Sequence, residues 1–251
     1  MSPCPALPPL DGSISVLPGF VDFHAERNPD LPWALLSAGP ELPVQSISFA
    51  EYARATHRIA HKLRPERAGK DKEVVAILIN CDTIVYLALI AGLVRAGLVV
   101  STFFHCVGCA LIGLLRTVQP FPMSPRNSGP AIINMLKQTS CHRIISQPAL
   151  SALLSCVEDE LEAEGYDLEV DDLPGLDEVF PTMYDESASV ECEPYTPTEE
   201  PYKPEDVAFY AHSSGSTGFP KPIPQRHENL LECCNSCMPL VDISSHAQST
   251  D

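Results

Sequence analysis

The order His212-Ser213-Ser214-Gly215-Ser216-Thr217-Gly218-Phe219-Pro220-Lys221 limits what this chain can fold into more than any other stretch. It follows a short apolar run, residues 207–211, that reads as a buried strand. The glycines open backbone conformations closed to other residues and leave N–H groups accessible to an anion. Hydroxyls at Ser213, Ser214, Ser216 and Thr217 add donors, and Lys221 adds a compact positive charge at the loop's end. Such a loop is suited to holding a polyphosphate, although a Ser/Gly-rich segment taken alone is more often a flexible turn.

The loop is not of the Walker A type, which needs Gly before the lysine and Ser or Thr after it. Pro220 and Pro222 take those places, so no helix starts there. Pro220, Pro222 and Pro224 alternate instead. In an extended strand their missing N–H groups fall on one edge, leaving Lys221 and Ile223 to pair on the other. The loop is therefore expected to join two strands.

The full order Ser-Ser-Gly-Ser-Thr-Gly-x-Pro-Lys resembles the signature loop of the adenylate-forming superfamily: acyl-CoA synthetases, luciferases and the adenylation domains of nonribosomal peptide synthetases. With His212 before the loop and Pro-Ile-Pro-Gln after Lys221, it is most similar to fungal NRPS-like carboxylate reductases related to aminoadipate reductase. Asp22-Phe23-His24-Ala25-Glu26 and Pro122-Met123-Ser124-Pro125-Arg126-Asn127-Ser128 resemble the same branch. The resemblance runs over 20–231, except 100–119. It implies a layered α/β N-terminal subdomain of an adenylation domain. It implies ATP and Mg²⁺ as cofactors and a carboxylic acid as substrate. Carrier (phosphopantetheine) and reductase domains would lie downstream in a full-length parent. The same resemblance assigns Ser213, Ser214, Gly215, Ser216, Thr217, Gly218 and Lys221 to the ATP phosphates, with Lys221 as the catalytic residue. A substrate carboxylate attacks the α-phosphorus, and fixed donors meet the charge that builds on pyrophosphate.

The superfamily's later motifs have no counterpart in these residues: the aromatic-Gly-x-Thr-Glu segment, the ribose-binding Thr-Gly-Asp, and the C-terminal subdomain with its second lysine. The chain alone is therefore expected to be inactive or nearly so, as the N-terminal part of an adenylation domain. The alternative is a non-catalytic remnant with weak or no nucleotide binding.

Charge sharpens the picture. The formal net charge of −17 is concentrated between residues 158 and 206, where 19 acidic residues face one base, Lys203. Elsewhere 14 acids and 15 bases nearly cancel. That argues against nucleic-acid binding, and 167–204 reads as a loose acidic linker. Residues 1–19 hold five prolines and no base, so they read as a disordered lead-in and not as a signal peptide. Ten cysteines without an export signal point to a reducing, cytoplasmic setting. Cys106/Cys109 and Cys234/Cys237 have Cys-x-x-Cys spacing, but the pairs lie too far apart for a zinc ribbon and read as incidental. No metal site is expected.

Along the chain, helices are expected at 21–27, 49–63, 83–96 with Asp82 as its cap, 131–137, 148–164 and 228–237, with strands at 33–37, 44–49, 73–79 and 142–146. Ser48 and Glu51 form a capping box. Phe49, Tyr52, Ala53, Thr56, Ile59, Ala60 and Leu63 then share one helical face. His57 and His61 are four apart with no third ligand nearby, so a solvated face is expected.

Residues 96–115 carry no formal charge and pass by length as a membrane span. The preceding strand and helix and the soluble superfamily fold favour an atypical apolar insert at 100–119 over a span. Valine codons begin GT and a glutamine codon can end AG, so the insert's ends fit a retained intron. The tail 232–251 also departs from the family pattern. Sequencing the mRNA is expected to reveal a shorter form without the insert; abundant message that always keeps those codons counts against it.

Overall fold

A computed structural model describes residues 5–9, 11–36, 44–102, 128–183, 191–197, 202–213, 219–229 and 232. The central feature is a six-stranded sheet in the order β6-β5-β3-β4-β7-β8. Its strands are β3 (Val74–Ile77), β4 (Val99–Thr102), β5 (Arg143–Ser146), β6 (Glu169–Asp172), β7 (Val207–Ser213) and β8 (Lys221–Arg226). The β3–β4, β3–β5, β4–β7 and β5–β6 pairs are parallel, and β7–β8 is antiparallel. A separate two-stranded ribbon pairs β1 (Pro32–Leu36) with β2 (Gln45–Ser48).

Helices cover both faces. One face carries α1 (Leu17–Arg27), α2 (Phe49–Leu63) and α3 (Thr83–Arg95); the other carries α4 (Gly129–Gln138) and α5 (Ser151–Ala163). The side-chain alternation of a strand explains the division. Val75 and Ile77 join the first core, whereas Ala76 and Leu78 join the second. Ile145 and Ile144 divide in the same way. The apolar run at 73–79 is thus a strand buried on two sides, as a parallel sheet requires.

Local signals position α2. The Glu51 N–H donates to Ser48 Oγ at 3.2 Å, and the Ser48 N–H donates to Glu51 Oε2 at 2.8 Å. Tyr52, Ala53, Thr56, Ile59, Ala60 and Leu63 are buried as expected, joined by Ala55. Arg95 ties three helices together, reaching Thr56 Oγ1 at 2.8 Å and both oxygens of Asp22 at 2.6 and 3.1 Å. Asp82 stands at the N-cap of α3, but its side chain makes no capping bond.

Several expectations change. The lead-in is partly folded: α1 begins at Leu17, and Asn28 exchanges two hydrogen bonds with the Ala6 backbone, at 2.7 and 2.9 Å. The segment expected as a loose connector supplies β6 and a short helix α6 (Leu176–Val179). Acidic composition hid β6 because an edge strand is held by backbone bonds, and here by Asp171 accepting from Arg143 Nε at 2.6 Å. Residues 191–197 lie across the polar face of α2. His57 Nδ1 accepts the Tyr195 N–H at 2.9 Å, and His61 Nε2 lies 3.0 Å from the Glu193 carbonyl. Those two histidines are therefore partly covered, not solvated. Tyr195 Oη donates to the Arg64 carbonyl at 2.6 Å, closing the strap.

Val100 to Thr102, the first residues of the expected apolar insert, continue β4; residues 103–127, with Arg126 and the Cys106/Cys109 pair, lie outside the described residues. Cys234/Cys237 and the rest of the tail beyond 232 lie outside them as well. Among the described residues, no helix is long and apolar enough to cross a membrane.

Gly92 is where α2 and α3 meet. A Cβ there would lie 2.7 Å from Ile59 Cβ and 3.0 Å from the Thr56 carbonyl oxygen, both stiff neighbours. Gly92→Ala is expected to lower stability in urea by about 1–2 kcal/mol, because overpacking outweighs a helix-propensity gain of up to about 1 kcal/mol. An unchanged midpoint would show that the helix contact yields freely.

Candidate functional site

The parallel strands all end on one edge of the sheet, and in open α/β sheets that edge is where ligands gather. Ser213 is the last residue of β7, an inner strand held between β4 and β8. Lys221 is the first residue of β8, and the antiparallel register sets it opposite Ser213. Ile223 lies opposite Ala211, while Pro222 and Pro224 lie opposite His212 and Tyr210. The alternating prolines thus sit on an edge strand, as their missing donors demand.

Of the seven sequence-derived site residues, the structure brings Ser213 and Lys221 together across this hairpin. Ser214, Gly215, Ser216, Thr217 and Gly218 lie outside the described residues. Lys221 is exposed, as is Phe219, and His212 is buried. Val100 and Ser101 of β4 pair with Phe209 and Tyr210, so the chain leaving β4 emerges beside the strand that carries the loop.

The other end of the hairpin is closed by residues that sequence reasoning did not single out. The His227 N–H donates to the Asp206 carbonyl at 3.1 Å, and the Glu228 N–H donates to the Pro204 carbonyl at 2.9 Å. Arg226 Nη1 donates to the Glu205 carbonyl at 2.7 Å. Lys72 Nζ pairs with Asp206 Oδ2 at 2.9 Å. Burial pushes the Asp206 carboxyl up, but the Lys203 N–H and the Lys72 ammonium outweigh it and hold the group below its usual range. Nothing local in the sequence marks these residues, because their partners come from the turn before β7 and the loop before β3.

The described part of the expected set, an exposed Lys221 opposite the last residue of β7, suits an anion. Magnesium finds less here: among the described residues no group of three His, Cys, Asp or Glu could hold a metal ion. An ion of that kind takes much of its coordination from substrate phosphates, and no step below is routed through it. The described cysteines Cys81, Cys141, Cys156 and Cys192 are free thiols, and burial pushes Cys81 and Cys141 up to about 12 and 11.

The family model for AMP-binding enzymes matches residues 21–250. The chain belongs to this family. It is 38% identical over 245 residues to the adenylate-forming reductase Nps11 of Serpula lacrymans, covering 97% of this chain and 20% of that protein. It is 31% identical over 239 residues to the adenylate-forming reductase Nps10 of Heterobasidion annosum, covering 90% and 19%. The chain therefore spans about a fifth of the length of these curated relatives. Among solved structures, fatty acyl-adenylate ligase from L. pneumophila, solved with acyl adenylate and pyrophosphate, aligns with a TM-score of 0.59 at 16% identity. That alignment covers 93% of this chain and 34% of the ligase. O-succinylbenzoate coenzyme A synthetase from Bacillus subtilis, in complex with AMP, aligns at 0.56 and 16%, covering 88% and 46%. The chain thus has part of the α/β fold of an adenylate-forming enzyme.

Burial holds the imidazoles of His24, His57 and His227 down to about 4. An unfolded imidazole titrates near 6.5. Between pH 6.5 and 4 the unfolded chain therefore binds more protons, and stability present above 6.5 is lost as pH falls. Each fully buried group contributes at most about 1.4 kcal/mol per pH unit, and the partly covered His57 less. Urea midpoints are expected to fall steadily from pH 7 to 4.5; a flat profile would contradict neutral burial of these rings.

Proposed function

We propose that this chain is the phosphate-binding part of an ATP-dependent carboxylate-activating enzyme, an adenylation unit of the NRPS-like reductase type. The observation that carries the reading is the placement of Lys221 opposite Ser213 at the ligand edge of the sheet, in a chain of the AMP-binding family. In this reading the donors of 213–218 and the Lys221 ammonium hold the terminal phosphates of ATP. A carboxylate oxygen of the substrate attacks the α-phosphorus, the bond from that phosphorus to the α–β bridging oxygen breaks, and pyrophosphate leaves with its charge met by those donors. Magnesium, when bound, neutralises phosphate charge.

The same reading gives the parent protein a small carboxylic acid as substrate, with carrier and reductase domains as partners, in the cytoplasm. It assigns Lys221 a role in phosphate binding and in charge stabilisation, with Ser213 to Gly218 as its companions. The second lysine and the ribose-binding aspartate of the superfamily have no counterpart in these residues. We therefore expect the 251-residue chain to bind nucleotide better than it turns it over.

Calorimetric titration with ATP and Mg²⁺ tests the reading directly. The chain should bind weakly, and Lys221→Ala should lose tenfold or more in affinity, as removal of a charge-assisted contact implies. ATP–pyrophosphate exchange with a panel of carboxylic acids then measures turnover. Binding that is absent, or that ignores Lys221→Ala, favours a non-catalytic remnant.

A further inference from the structure

The alternating prolines of β8 restrict its register without fixing it. A slip of one residue would turn Pro222 and Pro224 into the positions now taken by Lys221 and Ile223, where donors towards β7 are lacking. A slip of two residues keeps the parity and costs no donor. It would carry Lys221 about 7 Å along β7 from Ser213, far enough to take the ammonium out of the phosphate cradle. Something outside the ladder must choose between these registers.

The base of the hairpin carries contacts outside the ladder. Residues 203–206 form a turn closed on itself, with the Lys203 N–H donating to Asp206 Oδ2 at 2.9 Å and the Asp206 N–H to the Lys203 carbonyl at 3.0 Å. Backbone N–H groups of His227 and Glu228 dock on this turn, and the pairing shifts between Val207 and Phe209, so one residue of β7 is taken up there. The His227 ring is only 2% exposed, lies 5.6 Å from the Tyr202 ring, and its Nδ1 has no hydrogen-bond partner among the described residues. A buried polar atom without a partner is costly. Among the described residues, then, burial and the neighbouring Tyr202 ring hold the imidazole, with no bond at that nitrogen. Tyr202 is itself fixed, its hydroxyl accepting from Arg67 Nη2 at 3.3 Å, and the Lys72 N–H donates to the Gly97 carbonyl at 2.7 Å.

We propose that His227 is a positioning residue for the phosphate grip: its buried ring, seated on the turn before β7, selects the one register in which Lys221 faces Ser213. The inference rests on the phosphate-binding reading of that hairpin, and shape is the property that matters. His227→Met keeps the bulk and drops the orphaned nitrogen, whereas His227→Ala removes the plug.

The experiment compares the full chain with His227→Ala, His227→Met and Lys221→Ala, by titration with ATP and Mg²⁺ and by amide hydrogen exchange. His227→Ala should weaken ATP at least tenfold and speed β8 exchange at least tenfold, with protection of α2 and α3 kept. His227→Met should stay within about threefold on both measures, and Lys221→Ala should lose ATP with β8 protection intact. A folded His227→Ala with wild-type β8 exchange overturns the inference, and so does a His227→Met as impaired as His227→Ala. If His227→Ala does not fold, Lys72→Met, which removes the ion pair to Asp206, decides: faster β8 exchange supports the inference and unchanged exchange overturns it. A wild-type chain that fails to bind ATP defeats the phosphate reading, and the functional inference with it, whereas the exchange arm separately reports the register.

Discussion

The structure depends on a parallel sheet that is apolar on both faces. Val75, Ala76, Ile77 and Leu78 alternate between two cores, and Ile144 and Ile145 repeat the division one strand away. A parallel pair cannot be closed by a short turn, so each strand is bought with a crossover helix whose apolar face then covers the sheet. Although α1 and α2 precede β3 and connect no strands of this sheet, the placement of α3, α4 and α5 on its faces follows from that requirement. So does the position of β7, an inner strand whose end opens on the same edge as β3, β4 and β5. The loop of the candidate site is thus carried by an element that cannot move without disturbing the sheet.

The acidic region between 158 and 206 shows how composition and structure part company. Much of its charge stands on surfaces that need only their backbone or one aromatic ring in the fold. β6 adds an edge strand, Val179 and Phe180 bury apolar weight near Trp33, and Tyr195 inserts between α2 and the arginines at its end. Arg64 is nearly buried, yet it is matched by Asp71 at 2.6 Å and by the carbonyls of Ala68 and Ala96. A buried guanidinium is tolerated when its donors are satisfied in this way. Arg67, beside it, reaches Asp71 at 2.9 Å and the carbonyl of Thr196 at 3.2 Å, so cations of the α2 end hold the acidic strap that would otherwise repel itself.

Features encoded within a few residues were legible without coordinates. The Ser48–Glu51 capping box, the apolar face of α2, the continuous run of β3 and the strand–loop–strand at Lys221 all depend on spacing or on proline's missing donor. What was missed depends on residues far apart in the chain. His57 meets Tyr195 across 138 positions and Tyr195 meets Arg64 across 131. Gly92 reads as a weak point in a helix until Ile59 is seen against it. The folded part of the lead-in escaped for the same reason, since Asn28 reaches back to Ala6 by hydrogen bonds that no periodicity announces.

By itself the sequence determined the chemistry on offer: a hydroxyl- and glycine-rich loop ending in Lys221, followed by a strand whose prolines allow pairing on one edge alone. Those are properties of covalent structure and of neighbours, so they survive without a fold. Only the tertiary structure decided where Lys221 stands, opposite Ser213 at the end of an inner strand. The parity that the prolines impose is satisfied by more than one register, and the choice among them falls to the buried ring of His227 and the turn that receives it, residues brought together by the closing of β7 on β8.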